Sequence, residues 1–395
     1  MKRIITCLIA FACILTGAFG QKDGKDKVRP ICGPYIQNPT TDGFTVVWES
    51  NMDAVAWVEI APDDGTHFYN KDRTKYYDLR GFGNQVISTM HKIRVDGLEP
   101  GTTYRYRIMM KGVRLFDGPG TVKYTKAWGS DVYKKQPYRF TTPKEDYDRL
   151  RFDVYNDIHQ QDSLMNLLTK GAGEPDFAVF NGDMVSSMAW KDKIREMYLA
   201  TGARNLGGSV PLYLLRGNHE FRGKDSKHWF DYVDMPEGKP YFTASWGKFF
   251  FIFLDTCEDK PDNDIEYGGT MLSDPYLAAQ ARWLEGVVES DACRNAAARI
   301  VIGHIPPRKG GWHGDENVNS YFVPVLNKAG ISLMITGHLH KWKIYEPGSV
   351  SDANFPVVVN SNCERLEVTL DKSDINLEAF APDGSKTHSY SCKVR

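Results

Sequence analysis

Five short apolar runs in this chain each end on a residue that can bind a cation or move a proton. "LRFDVYN" runs into Asp157 and His159, "DFAVFNG" into Asp183, and "PLYLLRG" into Asn218 and His219. "RIVIG" leads to His304, and "ISLMITG" to His338 and His340. Imidazole nitrogens with carboxylate oxygens are donors that Zn, Fe and Mn accept. Singly, each residue has an ordinary explanation: Asp or Asn beside Gly builds turns, and an isolated histidine is usually hydrogen-bonded or solvated. As a set they point to one place, because reactive groups in open α/β sheets collect outside the carboxyl ends of the strands.

Such a site needs strands and helices in alternation, and the chain has that texture after the polar linker "TTPKEDYDR" (Thr141 to Arg149). The segment "DPYLAAQARWLEGVVES" predicts a helix with Asp274 as N-cap and Pro275 in the first helical position. Residues 366–394 alternate around an Asp383-Gly384 turn and read as strands completing the second sheet. Residues 28–143 differ: stretches such as Phe44–Trp48 and Tyr104–Ile108 alternate with period two, separated by turn residues. That is β-sandwich texture, with Trp48 and the other alternating aromatics expected in its core.

Residues 1–20 carry Lys2-Arg3, an apolar stretch and a small-residue end at Ala18-Phe19-Gly20, the layout of a cleaved secretory signal peptide. The expected location is exported, periplasmic or extracellular. A lipid anchor at Cys13 is the second reading, since Ala10 stands where such signals usually carry Leu. No later run approaches the ~20 apolar residues that span a bilayer. Without the leader, 47 basic residues face 50 acidic ones, which advertises no nucleic-acid surface. Cys32, Cys257, Cys293, Cys363 and Cys392 are odd in number and widely spaced, unlike a disulfide framework, and form no CxxC metal motif.

The ordered series Asp157-x-His159, Gly182-Asp183, Gly217-Asn218-His219-Glu220, Gly303-His304 and Gly337-His338-x-His340 resembles the calcineurin-like metallophosphoesterase signature, over residues 150 to 345. "GLEPGTTYRYRI" (Gly97 to Ile108) resembles a fibronectin type III signature, and the two modules together are similar to the purple acid phosphatase arrangement. The resemblance implies two domains: an N-terminal all-β fibronectin III-like sandwich over 28–143, and a C-terminal α/β metallophosphoesterase fold over 150–395. The second would consist of two packed mixed β-sheets flanked by helices, with two metal ions, Fe, Zn or Mn, at the strand ends.

Carried over by position, Asp157, His159, Asp183 and His340 would hold one ion, and Asp183, Asn218, His304 and His338 the other. Two ions about 3.5–4 Å apart activate water for attack on phosphorus. His219 would protonate the leaving oxygen. Arg216 resembles the phosphate-gripping arginine of the serine/threonine phosphatase branch, with a supporting arginine as its other reading. Glu220 is expected to support rather than react.

The loop from Pro306 to Ser320 offers Arg308, Lys309, Trp312 and His313 for substrate, and Trp229 is a second aromatic candidate. His159 stands where purple acid phosphatases have Gly, and Ser186 where they have the iron-binding Tyr, so the resemblance implies a colourless site. Ser186-Ser187-Met188 also replaces the Asp-Arg-Gly of the serine/threonine branch, leaving the support of His219 open. The expected function is an exported dinuclear-metal phosphohydrolase acting on a small phosphate ester, first a monoester. Phosphodiesters or nucleotides are the alternative, and a surface glycan- or protein-binding module with an idle catalytic domain is the reading from another class.

Overall fold

The alternating residues near the amino end fold into eight strands: β1 (Pro30–Thr40), β2 (Gly43–Pro62), β3 (Thr74–Tyr77), β4 (Ser88–Val95), β5 (Thr103–Phe116), β6 (Val122–Tyr124), β7 (Trp128–Gly129) and β8 (Tyr138–Thr141). The computed structural model describes residues 27–118 and 120–395, so the expected leader over 1–20 lies outside the described residues. β2 organises the layer. Its first half pairs with β1 and β4, its second half with β3 and β5, with a register break between Glu49 and Ala54. Phe44, Val46 and Trp48 from the first half meet Ala54, Val58 and Ile60 from the second in one core. The sandwich is therefore one hydrogen-bonded sheet folded over a single long strand, rather than two sheets joined only by loops. The strand continues through Asn51-Met52-Asp53.

The remaining strands form two six-stranded mixed sheets. The first contains β9 (Arg149–Tyr155), β10 (Phe177–Asn181) and β11 (Leu212–Leu215), all parallel, with β18 (Arg365–Asp371), β19 (Asp374–Phe380) and β20 (Lys386–Lys393) added antiparallel beyond β9. The second runs β12 (Phe242–Trp246), β13 (Phe249–Phe253), β14 (Ala298–Ile302), β15 (Leu333–Thr336), β17 (Val357–Val359) and β16 (Lys343–Tyr345). Their inner faces share one apolar core, with Phe152, Val154 and Val179 against Phe251, Ile300 and Ile335. Helices α1 (Asp162–Lys170) and α2 (Ala200–Asn205) cover one outer face; α3 (Ser273–Val288), α5 (His313–Tyr321) and α6 (Val323–Leu326) cover the other, with α4 (Asp291–Arg294) beside them.

Two local expectations are corrected. The carboxyl-terminal strands extend the sheet of β9 rather than completing the second sheet, because β18 supplies Leu366, Val368 and Leu370 to the core beside β9. Helix α3 begins at Ser273, one residue before the expected Asp274 cap. The Asp383-Gly384 turn lies between β19 and β20 as expected.

The all-β module is hydrogen-bonded to the α/β part at several points. Tyr35 Oη donates to Tyr232 O (2.7 Å), Tyr106 Oη to Gly208 O (2.8 Å), and Arg195 pairs with Glu49 (2.9 Å). Cys32, Tyr35 and Val47 pack in the same core as Phe180 and Trp229. All five described cysteines are free. Among the described residues no helix is long and apolar enough to cross a membrane.

Candidate metal centre

Asp157 and His159 follow β9, Asp183 follows β10, Asn218 and His219 follow β11, His304 follows β14, and His338 and His340 follow β15. β9, β10 and β11 are parallel in one sheet and β14 and β15 in the other, so these carboxyl ends gather at one edge of each sheet. The turns are tight enough to demand glycine. A Cβ on Gly182 would lie 2.5 Å from Gly217 N, and one on Gly217 would lie 2.2 Å from Asp183 Oδ1. Of the ten described non-glycine residues with left-handed backbone, five are Asp157 (φ 54°), His159 (47°), Asp183 (51°), His338 (71°) and His340 (54°). That conformation costs an L-residue roughly 1–2 kcal/mol, and such strain gathers at functional sites.

Both carboxylates are held by one oxygen and free at the other. Asp157 Oδ2 accepts from Asn156 Nδ2 (2.7 Å) and His338 N (2.8 Å), leaving Oδ1 3.1 Å from His340 Nε2 and 3.8 Å from both His159 Nε2 and His304 Nε2. Asp183 Oδ1 accepts from His219 N (2.9 Å), leaving Oδ2 3.1 Å from His304 Nε2. His304 Nδ1 donates to Asn181 O at 2.8 Å, which turns Nε2 toward Asp183 as the nitrogen that carries the second proton or, in its place, meets a cation. Asp157 Oδ1, His304 Nε2 and His338 Nε2 are buried and make no hydrogen bond.

The Asn218 amide lies between the cluster and Arg222. One end faces Asp183 Oδ2 (3.3 Å) and His338 Nδ1 (3.1 Å), the other Arg222 Nη2 (3.1 Å). With nitrogen inward the amide donates to Asp183 and His338 and accepts from Arg222; a cation bound here would need the oxygen turned inward instead. Donor atoms of Asp157, His159 and His340 lie within 4.8 Å of one another, as do those of Asp183, His304 and His338. Donor atoms of His159, Asp183 and His219 form a third such group, and the donor types fit a metal ion. Electrostatics agree: burial opposes charge on His304, but Asp183 and Asp157 hold its pKa up at about 10, while burial and then His304 push His338 down to about 3. A cation between the carboxylates would replace the His304 proton.

The surroundings sort the other candidates. His219 Nδ1 faces Ser186 O at 2.7 Å, so a backbone carbonyl orients the ring in place of the missing aspartate, and Nε2 lies 3.8 Å from Asp183 Oδ2. Glu220 is fully buried and accepts from four backbone N–H groups: Gly217 (2.7 Å), Asp183 (2.8 Å), Met184 (2.9 Å) and Val185 (3.3 Å). Arg216 as a phosphate grip is corrected. Its Nε donates to Asp255 (2.9 Å), its guanidinium lies 3.8 Å from the Phe221 ring centroid, and it is buried outside the pocket. Trp229 is buried in the core, Lys309 pairs with Asp352, and His313 does not line the pocket.

Arg308 and Trp312 do reach the pocket, a cavity of about 530 Å³ that also exposes His219, His338 and His340. Sequence reasoning missed Arg222 and Asp259, which line the same cavity and pair at 2.6 Å. The signal was present: "FFFIFLDTCED" is one more apolar run ending in acids.

Two packed mixed sheets with a His/Asp/Asn cluster at their strand ends define the metallophosphoesterase class of fold. Residues 150–342 match the family model "Calcineurin-like phosphoesterase". Over those residues the chain resembles the calcineurin-like phosphoesterases. It is 23% identical over 198 residues to the serine/threonine-protein phosphatase CPPED1 of Pongo abelii, covering 47% of this chain. The chain spans 60% of that relative's length. Among solved structures, purple acid phosphatase PPD1 from yellow lupin (Lupinus luteus) seeds matches with a TM-score of 0.63 and 16% identity, over 91% of this chain and 73% of that one. At that identity the likeness is one of fold, and its coverage takes in both modules.

Proposed function

We propose that the protein is an exported phosphohydrolase that cleaves phosphomonoesters at a dinuclear metal centre. The observation that carries this reading is the pair of half-held carboxylates: each of Asp157 and Asp183 directs one free oxygen into a ring of imidazole nitrogens. Asp157, His159, Asp183 and His340 would hold one ion, and Asp183, Asn218, His304 and His338 the second. Fe, Zn or Mn suits these donors. When bound, such ions polarise a phosphoryl oxygen and acidify a water. His219, with Nδ1 committed to Ser186, presents Nε2 to give a proton to the departing oxygen, a step worth about 10²–10⁴ in rate. Arg222 and Arg308 supply N–H donors at the rim for phosphate oxygens.

We further read the chain as a leader over 1–20, a fibronectin III-like sandwich over 28–143 and a catalytic domain over 150–395. The charged, apolar and small-residue pattern of the leader supports export. Because no tyrosine lines the cavity among the described residues and Ser186 occupies the neighbouring loop, the loaded protein is expected to lack a strong visible band.

The test is metal-loaded protein assayed on p-nitrophenyl phosphate, its bis ester and nucleotides, beside Asp183→Asn and His219→Ala. The monoester should be the fastest substrate, with kcat about 10²-fold or more lower in either variant. A faster bis ester would favour the phosphodiesterase alternative. If neither substitution slows hydrolysis of any ester, the site is not catalytic.

A further inference from the structure

One wall of the pocket is organised by a single carboxylate. Asp315, fully buried on the first turn of α5, accepts from the backbone N of Trp312 at 2.8 Å and from Arg308 Nη2 at 2.5 Å through the same Oδ2. The Arg308 backbone N also donates to Asp315 O at 3.3 Å. The loop is thereby fixed at both residues that face the cavity. Trp312 nonetheless leaves 58% of its surface exposed, with its indole edge-on to His338 at 5.2 Å between ring centroids and 86° between planes. An indole held in place beside the donor cluster but left in water gains little for folding. It offers a flat, pre-positioned surface to whatever enters.

We propose that Trp312 is the platform of a leaving-group subsite that selects phosphate esters whose alcohol carries a planar ring, aryl or nucleobase, with Asp315 as its positioning residue. The inference rests on the phosphoesterase reading of the site and adds its substrate class. Stacking on an aromatic side chain is sequence-tolerant for bases and worth about fivefold or more in affinity. Arg308, tied to the same carboxylate, keeps N–H donors for the ester oxygens beside that ring.

The experiment compares adenosine 5′-monophosphate with ribose 5-phosphate, which share one alkoxide leaving group, so that the ratio of kcat/KM reports the base alone. A ratio of about five or more is expected for the metal-loaded protein, falling to about 1 in Trp312→Ala and largely kept in Trp312→Phe. Calorimetric titration with benzylphosphonate and butylphosphonate, which cannot be cleaved, should show the same preference for the ring and its loss in Trp312→Ala. A ratio near 1 in the native protein, or one unmoved by Trp312→Ala, overturns the subsite. If no phosphate ester is cleaved but the ring-bearing phosphonate still binds more tightly through Trp312, the phosphoesterase reading fails and the ring preference stands.

Discussion

Glu220→Gln tests whether a buried charge holds the centre together. Each Glu220 oxygen faces two backbone donors: Oε2 accepts from Gly217 and Asp183, and Oε1 from Met184 and Val185. Burial and then the Asp183 carboxylate push the Glu220 carboxyl up, but neither oxygen has an acceptor to which a proton could be donated. The ionised form is the one that fits. In Gln, one oxygen becomes an NH₂ that meets two N–H groups, so two donors lose their acceptor. A hydrogen bond to a charged group contributes about 1.5–3 kcal/mol, and relief from burying the charge returns part of that. The expected net loss is about 3 kcal/mol.

The same bonds hold Asp183 in its left-handed backbone, so the substitution should also loosen the carboxylate that faces His304. Urea unfolding of both proteins in EDTA isolates the stability term from metal binding, and metal content after dialysis reads the second effect. A stability change under about 0.5 kcal/mol, the range of an innocuous surface substitution, would show that Glu220 is protonated or its donors otherwise satisfied, and the reasoning would fail.

Arg216→Ala should cost about 3–5 kcal/mol in unfolding, because Asp255 is left buried and uncompensated, while Arg216→Met with Asp255→Asn recovers most of the loss. A KM rise of tenfold or more in folded Arg216→Ala would instead restore it as a phosphate contact. His91 is 1% exposed, with Nε2 3.0 Å from Ser50 Oγ, and burial pushes its pKa down to about 4. The folded state then refuses a proton that the unfolded chain takes up below pH ~6.5. This contribution is intact above pH ~6.5 and lost as the pH falls toward ~4, about 3 kcal/mol in all. Urea unfolding at several pH values should show that acid loss shrink in His91→Gln; an unchanged slope would place it elsewhere.

The strand-end residues were legible because each follows an apolar run of strand length, and four of the five runs end on a glycine. What the sequence does not carry is the partner of each charged group. Arg216 and Arg222 are six residues apart on either side of His219, and nothing local says which one faces the pocket. The decision comes from the loop after β13 and from α3: Asp255 and Tyr276 close over Arg216, while Glu258 and Asp259 hold Arg222 at the rim. The support of His219 was invisible for a different reason, since Ser186 acts through its carbonyl and not its side chain. The long β2 strand was likewise hidden, because bending a sheet over itself leaves the period-two pattern unchanged on both sides of the bend.

His159 is where sequence and structure argue most directly for a bound cation. Glycine, which the purple acid phosphatase pattern places here, would adopt φ 47° freely, whereas histidine followed by Gln160 at 61° strains two successive residues. The imidazole then brings Nε2 to 2.9 Å from His340 Nε2 and 3.8 Å from Asp157 Oδ1. Two neutral ring nitrogens that close repel through their lone pairs unless a proton or a metal lies between them. A single shared proton satisfies that pair alone. It leaves the three partnerless buried atoms, Asp157 Oδ1, His304 Nε2 and His338 Nε2, unexplained, whereas cations at the two donor groupings account for all of them. The backbone strain at His159 is therefore most economically read as the cost of bringing a further nitrogen donor beside His340 and Asp157.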